Sequence, residues 1–151
     1  MRIFALADYA AVSPGDQKLY ISGANVQQQF LPAFPGTVPQ LYLVVLLAIP
    51  WNMASEPYQL RIRMLDGDRR PIGPDPLLEG QVETGRPPGT VAGQELTVPI
   101  PLSLAGLRIE REGIVYFHVE VADRELGVQP FRFRQAQLLV PGTTPPGPAE
   151  A

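Results

Sequence analysis

The 151-residue chain has no cysteine, and only one histidine, one lysine and one tryptophan. The missing cysteine excludes disulfide staples, thiolate catalysis and Cys-based metal sites. With His118 alone, neither a His-cluster metal centre nor a Ser-His-Asp arrangement with a spare can be assembled. Long hydrophobic runs are also absent. The longest, Leu41 to Ile49, is nine residues between Pro39 and Pro50, against the ~20 that a membrane-crossing helix needs. At the start, Ile3 to Ala7 resembles a short export signal, but Asp8 ends the run after five apolar residues. That is too few for a signal core, so a soluble cytoplasmic protein is expected. The formal net charge of -3 gives no attraction to nucleic acid or to an anionic membrane, so neither is expected as a partner. Eleven of the twelve basic residues are Arg, which reads as a coding bias. No G-x-S-x-G, phosphate loop or dinucleotide fingerprint occurs. An enzyme is therefore not expected, and no cofactor is implied.

What the sequence has instead is punctuation. Eighteen Pro and fourteen Gly cut the chain into short pieces that suit strands better than helices. The strand candidates are 2–8, 18–26, 40–49, 58–65, 77–83, 94–101, 113–122 and 125–134. Eight short strands at this spacing predict an all-β fold, a two-layer antiparallel β-sandwich of immunoglobulin-like or jelly-roll-like type. At most one short helical turn is expected, near 103–108, where Leu104 and Leu107 stand three apart. Residues 1–140 read as one domain. The Pro/Gly-rich tail from Pro141 to Ala151 buries too little to offset its ordering entropy and reads as flexible.

The clearest element runs from Gly113 to Phe133. Val115, Phe117, Val119 and Val121 alternate with Tyr116, His118, Glu120 and Ala122, the period of a strand with one buried face. Ala122-Asp123-Arg124-Glu125 supplies the turn, with Leu126 and Val128 facing inward on the return. Phe131 and Phe133 have the opposite parity, so a bulge is predicted at Gln129-Pro130, with Arg132 and Arg134 exposed beyond it. Tyr58, Leu60, Ile62 and Met64 alternate with Gln59, Arg61 and Arg63, and Asp66-Gly67 then predicts a tight hairpin with both residues at positive φ. Leu41 to Ile49 does not alternate, so both its faces must be covered. The cover is either the Gln27–Gln40 loop, through Phe30, Leu31 and Phe34, or a second subunit.

Four stretches carry a resemblance. They are Ala7-Asp8-Tyr9-Ala10 with Lys18-Leu19-Tyr20-Ile21-Ser22-Gly23, then Ile49-Pro50-Trp51-Asn52, then Leu65 to Pro71, then Gly113 to Val119. Across about residues 3–134 the chain resembles a family of small uncharacterised bacterial proteins known only as a domain of unknown function. The resemblance implies a β-sandwich and supplies no activity, so no functional residue is carried over from it.

The candidate residues are weighed on their own chemistry. His118 reads as a surface histidine on the polar face of its strand, in a cross-strand pair. Asp66, Asp68 and Asp75 offer three carboxylates beside Arg69 and Arg70, which is turn chemistry rather than a calcium site. No metal site is assigned. Asp8, in an apolar strand, is expected to make a structural hydrogen bond. If successive strands traverse the fold, the 27–39, 66–76 and 102–112 loops share one end. They gather Phe30, Phe34, Asp66, Asp68, Arg69, Arg70, Arg108 and Arg111 into a candidate binding rim. The other end is expected to hold Ser13 to Asp16, Trp51, Arg86 and Asp123. The function expected is a non-catalytic module that binds a protein partner or, through the 41–49 strand, its own copies. The alternative is a carbohydrate or small-ligand module with Trp51 or Tyr42 as a stacking surface.

Overall fold

A computed structural model describes residues 1–137; the tail from Pro141 lies outside the described residues. The eleven strands are β1 (Ile3–Val12), β2 (Leu19–Ala24), β3 (Gln28–Leu31), β4 (Gly36–Thr37), β5 (Tyr42–Pro50), β6 (Tyr58–Leu65), β7 (Leu78–Val82), β8 (Glu95–Ser103), β9 (Arg108–Ile109), β10 (Gly113–Val121) and β11 (Arg124–Gln135). They form a four-stranded sheet in the order β2-β1-β5-β8, a five-stranded sheet β3-β11-β10-β6-β7, and a small β4-β9 pair. All eight predicted strands are present, together with three short ones, β3, β4 and β9. The helical turn expected near 103–108 is instead a single reverse turn, closed by the Leu107 N–H donating to the Leu104 carbonyl at 3.1 Å. Among the described residues the only helical element is a 3-10 turn at Trp51–Met53, where Pro50 stops the strand.

Side-chain parity explains why the two larger sheets pack together. Leu6, Leu43, Val45 and Leu47 of one sheet share a single buried cluster with Leu60, Ile62, Met64, Phe117, Phe131 and Phe133 of the other. The rings of Phe131 and Phe133 meet edge to face at 5.0 Å, so the cluster gains aromatic geometry as well as buried area. Leu31 and the partly buried Phe34 join this same cluster. They therefore do not cover the outer face of β5, as the loop reading expected. The β4-β9 pair closes one end, with Ile109 and Val38 each 1% exposed.

Three local details differ from the sequence reading, each for a physical reason. Alternation is unbroken from Gly127 to Phe133, so there is no bulge at Gln129-Pro130. Pro130 is tolerated because Arg132 donates its N–H to Gln27 on the β3 side. The nitrogen two residues earlier faces that same side, before β3 begins, where no acceptor waits. The register shift falls instead at Leu126, since Val119 pairs with Gly127 but Glu120 pairs with Glu125. Val128, paired with His118, then faces outward at 39% exposure, and the unpaired Leu126 is 38% exposed at the sheet's end. Second, the tight two-residue turn with both φ positive is Ala122-Asp123, at 52° and 60°, whereas the Asp66–Arg70 turn has its positive φ at Arg69. There the Asp66 carboxylate accepts the N–H groups of Asp68 and Arg70 at 2.8 and 2.9 Å, a local bond that replaces the tight geometry. Third, Ser13–Asp16 lies at the opposite end from Trp51, because β1 runs antiparallel to β5, with Ile3 opposite Leu46 and Ala7 opposite Tyr42. The unforeseen strand β3 adds one traverse and reverses the end at which that first turn belongs.

Candidate functional site

Backbone pairing brings two of the three loops of the predicted rim together at one end of the fold. Gly36 pairs with Ile109 and Thr37 with Arg108, which ties the 27–39 segment to the 102–112 loop. Asp66, Pro71, Ile72 and Gly73 then face Ile109 to Val115 across a groove of about 400 Å3, into which Asp66 and Arg111 both contribute. The other predicted residues are dispersed. Arg108 pairs with Glu110, two residues on, at 2.8 Å in an exposed ion pair. Asp68 and Arg70 are exposed turn residues. Phe34 belongs to the core. Phe30 is 51% exposed, with the Arg134 guanidinium 5.6 Å from its ring centre. Arg69 leaves the rim and binds Glu125 at 3.0 Å.

That last contact belongs to a polar cluster on the outer face of the five-stranded sheet. His118 lies on this face as expected but is 3% exposed, not a surface residue. Its Nδ1 is 2.9 Å from the Glu125 Oε2, the same oxygen that accepts from Arg69. The carboxylate can only accept, so the imidazole donates from Nδ1. The His118 N–H, with the Arg69 guanidinium behind it, holds the Glu125 carboxyl below its usual range. Beside it, Arg63 binds Asp75 through two parallel bonds of 2.9 and 3.0 Å, and the Asp75 carboxyl is likewise lowered by that contact. Bidentate geometry makes this pair the best defined on the face. The three aspartates considered together for calcium are thus separated: Asp75 is held by Arg63, and Asp66 is engaged in its own turn. Asp8 also differs from expectation. Its carboxylate makes no hydrogen bond among the described residues; it lies over Gly23 of β2, where an added Cβ would sit 2.1 Å from the Asp8 Oδ2.

The opposite end holds a feature the sequence did not reveal. A cleft of about 410 Å3 opens between the two larger sheets. Leu47 and Ile49 line it from one sheet, and Tyr58, Val82 and Val121 from the other. Met53, Ala122, Arg124 and Leu126 stand around them, and Met53 is 42% exposed. Trp51 sits beside this cleft without forming an open stacking surface. The Arg86 guanidinium covers its ring at 4.1 Å, and Arg86 also donates to the Trp51 carbonyl. Tyr42 is half-buried, with its ring 5.3 Å from that of Tyr9 in an edge-on contact.

A family model spans residues 2–134, from the start of β1 almost to the end of β11. The chain belongs to DUF6941, a family of unknown function. No curated protein and no solved structure matches it. The DUF6941 match covers the rim, the His118 cluster and the end cleft alike. It therefore does not favour one of them, and the choice rests on chemistry. No helix among the described residues is long and apolar enough to cross a membrane.

Proposed function

We propose that this DUF6941 chain is a non-catalytic module, a two-layer β-sandwich whose outer β2-β1-β5-β8 face binds a protein surface, in the first instance that of a second copy. The observation that carries this reading is the chemistry of that face. Register puts the half-buried Ile3 and Ala5 and the exposed Tyr9 of β1 on the side away from Leu6, together with the half-buried Tyr42 and Leu46 of β5 and Pro99 and Pro101 of β8, around the fully buried Ala7 and Val44. No charged side chain stands among them. The Arg2–Glu95 pair bounds one end and the Lys18–Asp16 pair the other. An extended uncharged field with a charged margin is the anatomy of an interface. Tyr9 and Tyr20, 48% and 57% exposed, are the aromatic side chains that interfaces favour.

Face-to-face contact is favoured over strand addition. Pro99 and Pro101 have no N–H, and they pair with Leu46 and Val44 on β5. Their nitrogens point to the free edge of β8, which therefore lacks two donors in the middle of the strand. Sedimentation equilibrium up to about 1 mM, where even weak association registers, tests the reading. The wild-type chain is expected to dimerise, and Tyr9→Glu with Tyr20→Glu to remain monomeric with an unchanged melting temperature. A wild-type monomer throughout this range would overturn self-association.

A further inference from the structure

We infer that the cleft between the sheets is a binding site for a straight-chain aliphatic carboxylate, its chain lying between the layers and its head group on Arg124. The placement of Arg124 is the decisive fact. It pairs with Val121 across the hairpin, and cross-strand partners share a face. Val121 packs against the main core, so Arg124 stands on the inward side of its sheet, at the solvent-exposed mouth of the cleft. Its sequence neighbour Glu125 is committed to His118 and Arg69 on the opposite face. No carboxylate among the described residues bonds Arg124, and it is the one charged group lining the cleft.

Two irregularities of the backbone create this arrangement. The extra residue at Leu126 shifts the pairing so that Glu120 faces Glu125 and Val121 faces Arg124. With continuous register, Glu125 would oppose Val121 and turn inward, and a carboxylate would occupy the place the arginine takes. Bulges commonly re-aim side chains beside binding sites. The adjoining turn holds Ala122, itself a lining residue, at a φ of 52°. That conformation disfavours alanine, and such outliers concentrate where a site is being shaped.

The rest of the lining selects the ligand. Leu47, Ile49, Val82 and Leu126 are aliphatic. The Tyr58 hydroxyl is already engaged by the Met53 carbonyl and Glu56, which leaves Arg124 as the polar recognition group. A volume of about 410 Å3 falls within the usual range of small-molecule sites. It holds roughly fourteen water-sized groups at ~30 Å3 each, enough for a chain of about ten carbons with its carboxylate. Guanidinium and carboxylate match as a two-pronged pair.

Trp51 is the only tryptophan and follows the lining residue Pro50, two positions before the lining residue Met53, so its fluorescence reports on the cleft. Decanoate, decanol and decylammonium are to be titrated into the full chain and into Arg124→Gln, with melting temperatures confirming that both are folded. Decanoate is expected to bind the wild type, with affinity falling about tenfold or more in Arg124→Gln, the size of one charged hydrogen-bonded contact. Decanol is expected to bind both proteins alike, and decylammonium more weakly than decanoate. The inference is overturned if decanoate does not bind at 1 mM or below on the order of the weakest specific affinities. Equal affinity in Arg124→Gln would also overturn it, as would association with anionic vesicles in the absence of decanoate binding. The site lies between the sheets rather than on the outer face, so these results are independent of the dimerisation test.

Discussion

Single residues in this fold gain their character from the face to which the backbone assigns them. His118 is buried on a nominally polar face because Glu125 and Arg69 reach over the sheet to it. Glu125 has its pKa lowered from the ordinary 4.5 by the His118 hydrogen bond first and Arg69 second. A carboxyl that ionises more easily when folded contributes stability above its unfolded pKa and loses it as the pH falls through the folded value. Glu125→Gln is therefore expected to cost about 1 kcal/mol at neutral pH. The gap between variant and wild type should close as the pH drops below 4.5. Urea denaturation over a pH series from neutral into the acid range measures this, and a gap independent of pH would refute the assignment. Sequence alone could place His118 on the polar side by alternation. It could not see the burial, which depends on an arginine 49 positions away in the chain, Arg69 against His118.

At the scale of elements, legibility followed length and locality. The eight longer strands were readable because alternating apolar residues and Gly or Pro breaks are local signals. The strands β3, β4 and β9 are four, two and two residues long, and they exist only through distant partners, as when Gln28 pairs with Arg132. No periodicity can register in so short a span. The bulge expected at Gln129-Pro130 is absent, because Leu126 and Val128 are apolar yet exposed and the parity conflict they suggested does not exist; the register shift that does occur, opposite Leu126, had no such signal. The end cleft was illegible for the same reason, since Arg124 looks inward only once that register is known. The turn at Ala122-Asp123 adds a test. Both residues hold positive φ, a geometry for which Asn-Gly is the preferred pair. Ala122→Asn with Asp123→Gly is expected to stabilise the protein by about 1 kcal/mol. The denaturant midpoint measures it, and a lower midpoint would contradict the turn geometry.

For the whole molecule, the two larger sheets have four lateral strands, β2 and β8 in one and β3 and β7 in the other. The β8 edge is long at nine residues and rich in Leu, Val and Ile, the composition of a sheet that recruits more strands. Pro99 and Pro101 remove two of its outward donors. Replacing both with threonine, a good strand former, should leave the monomer folded while giving a marked rise in thioflavin fluorescence on prolonged incubation. No rise would mean that the edge is protected by something else. The two imino acids thus act as a stopper against runaway polymerisation, because they break the row of amides that an incoming strand would have to copy.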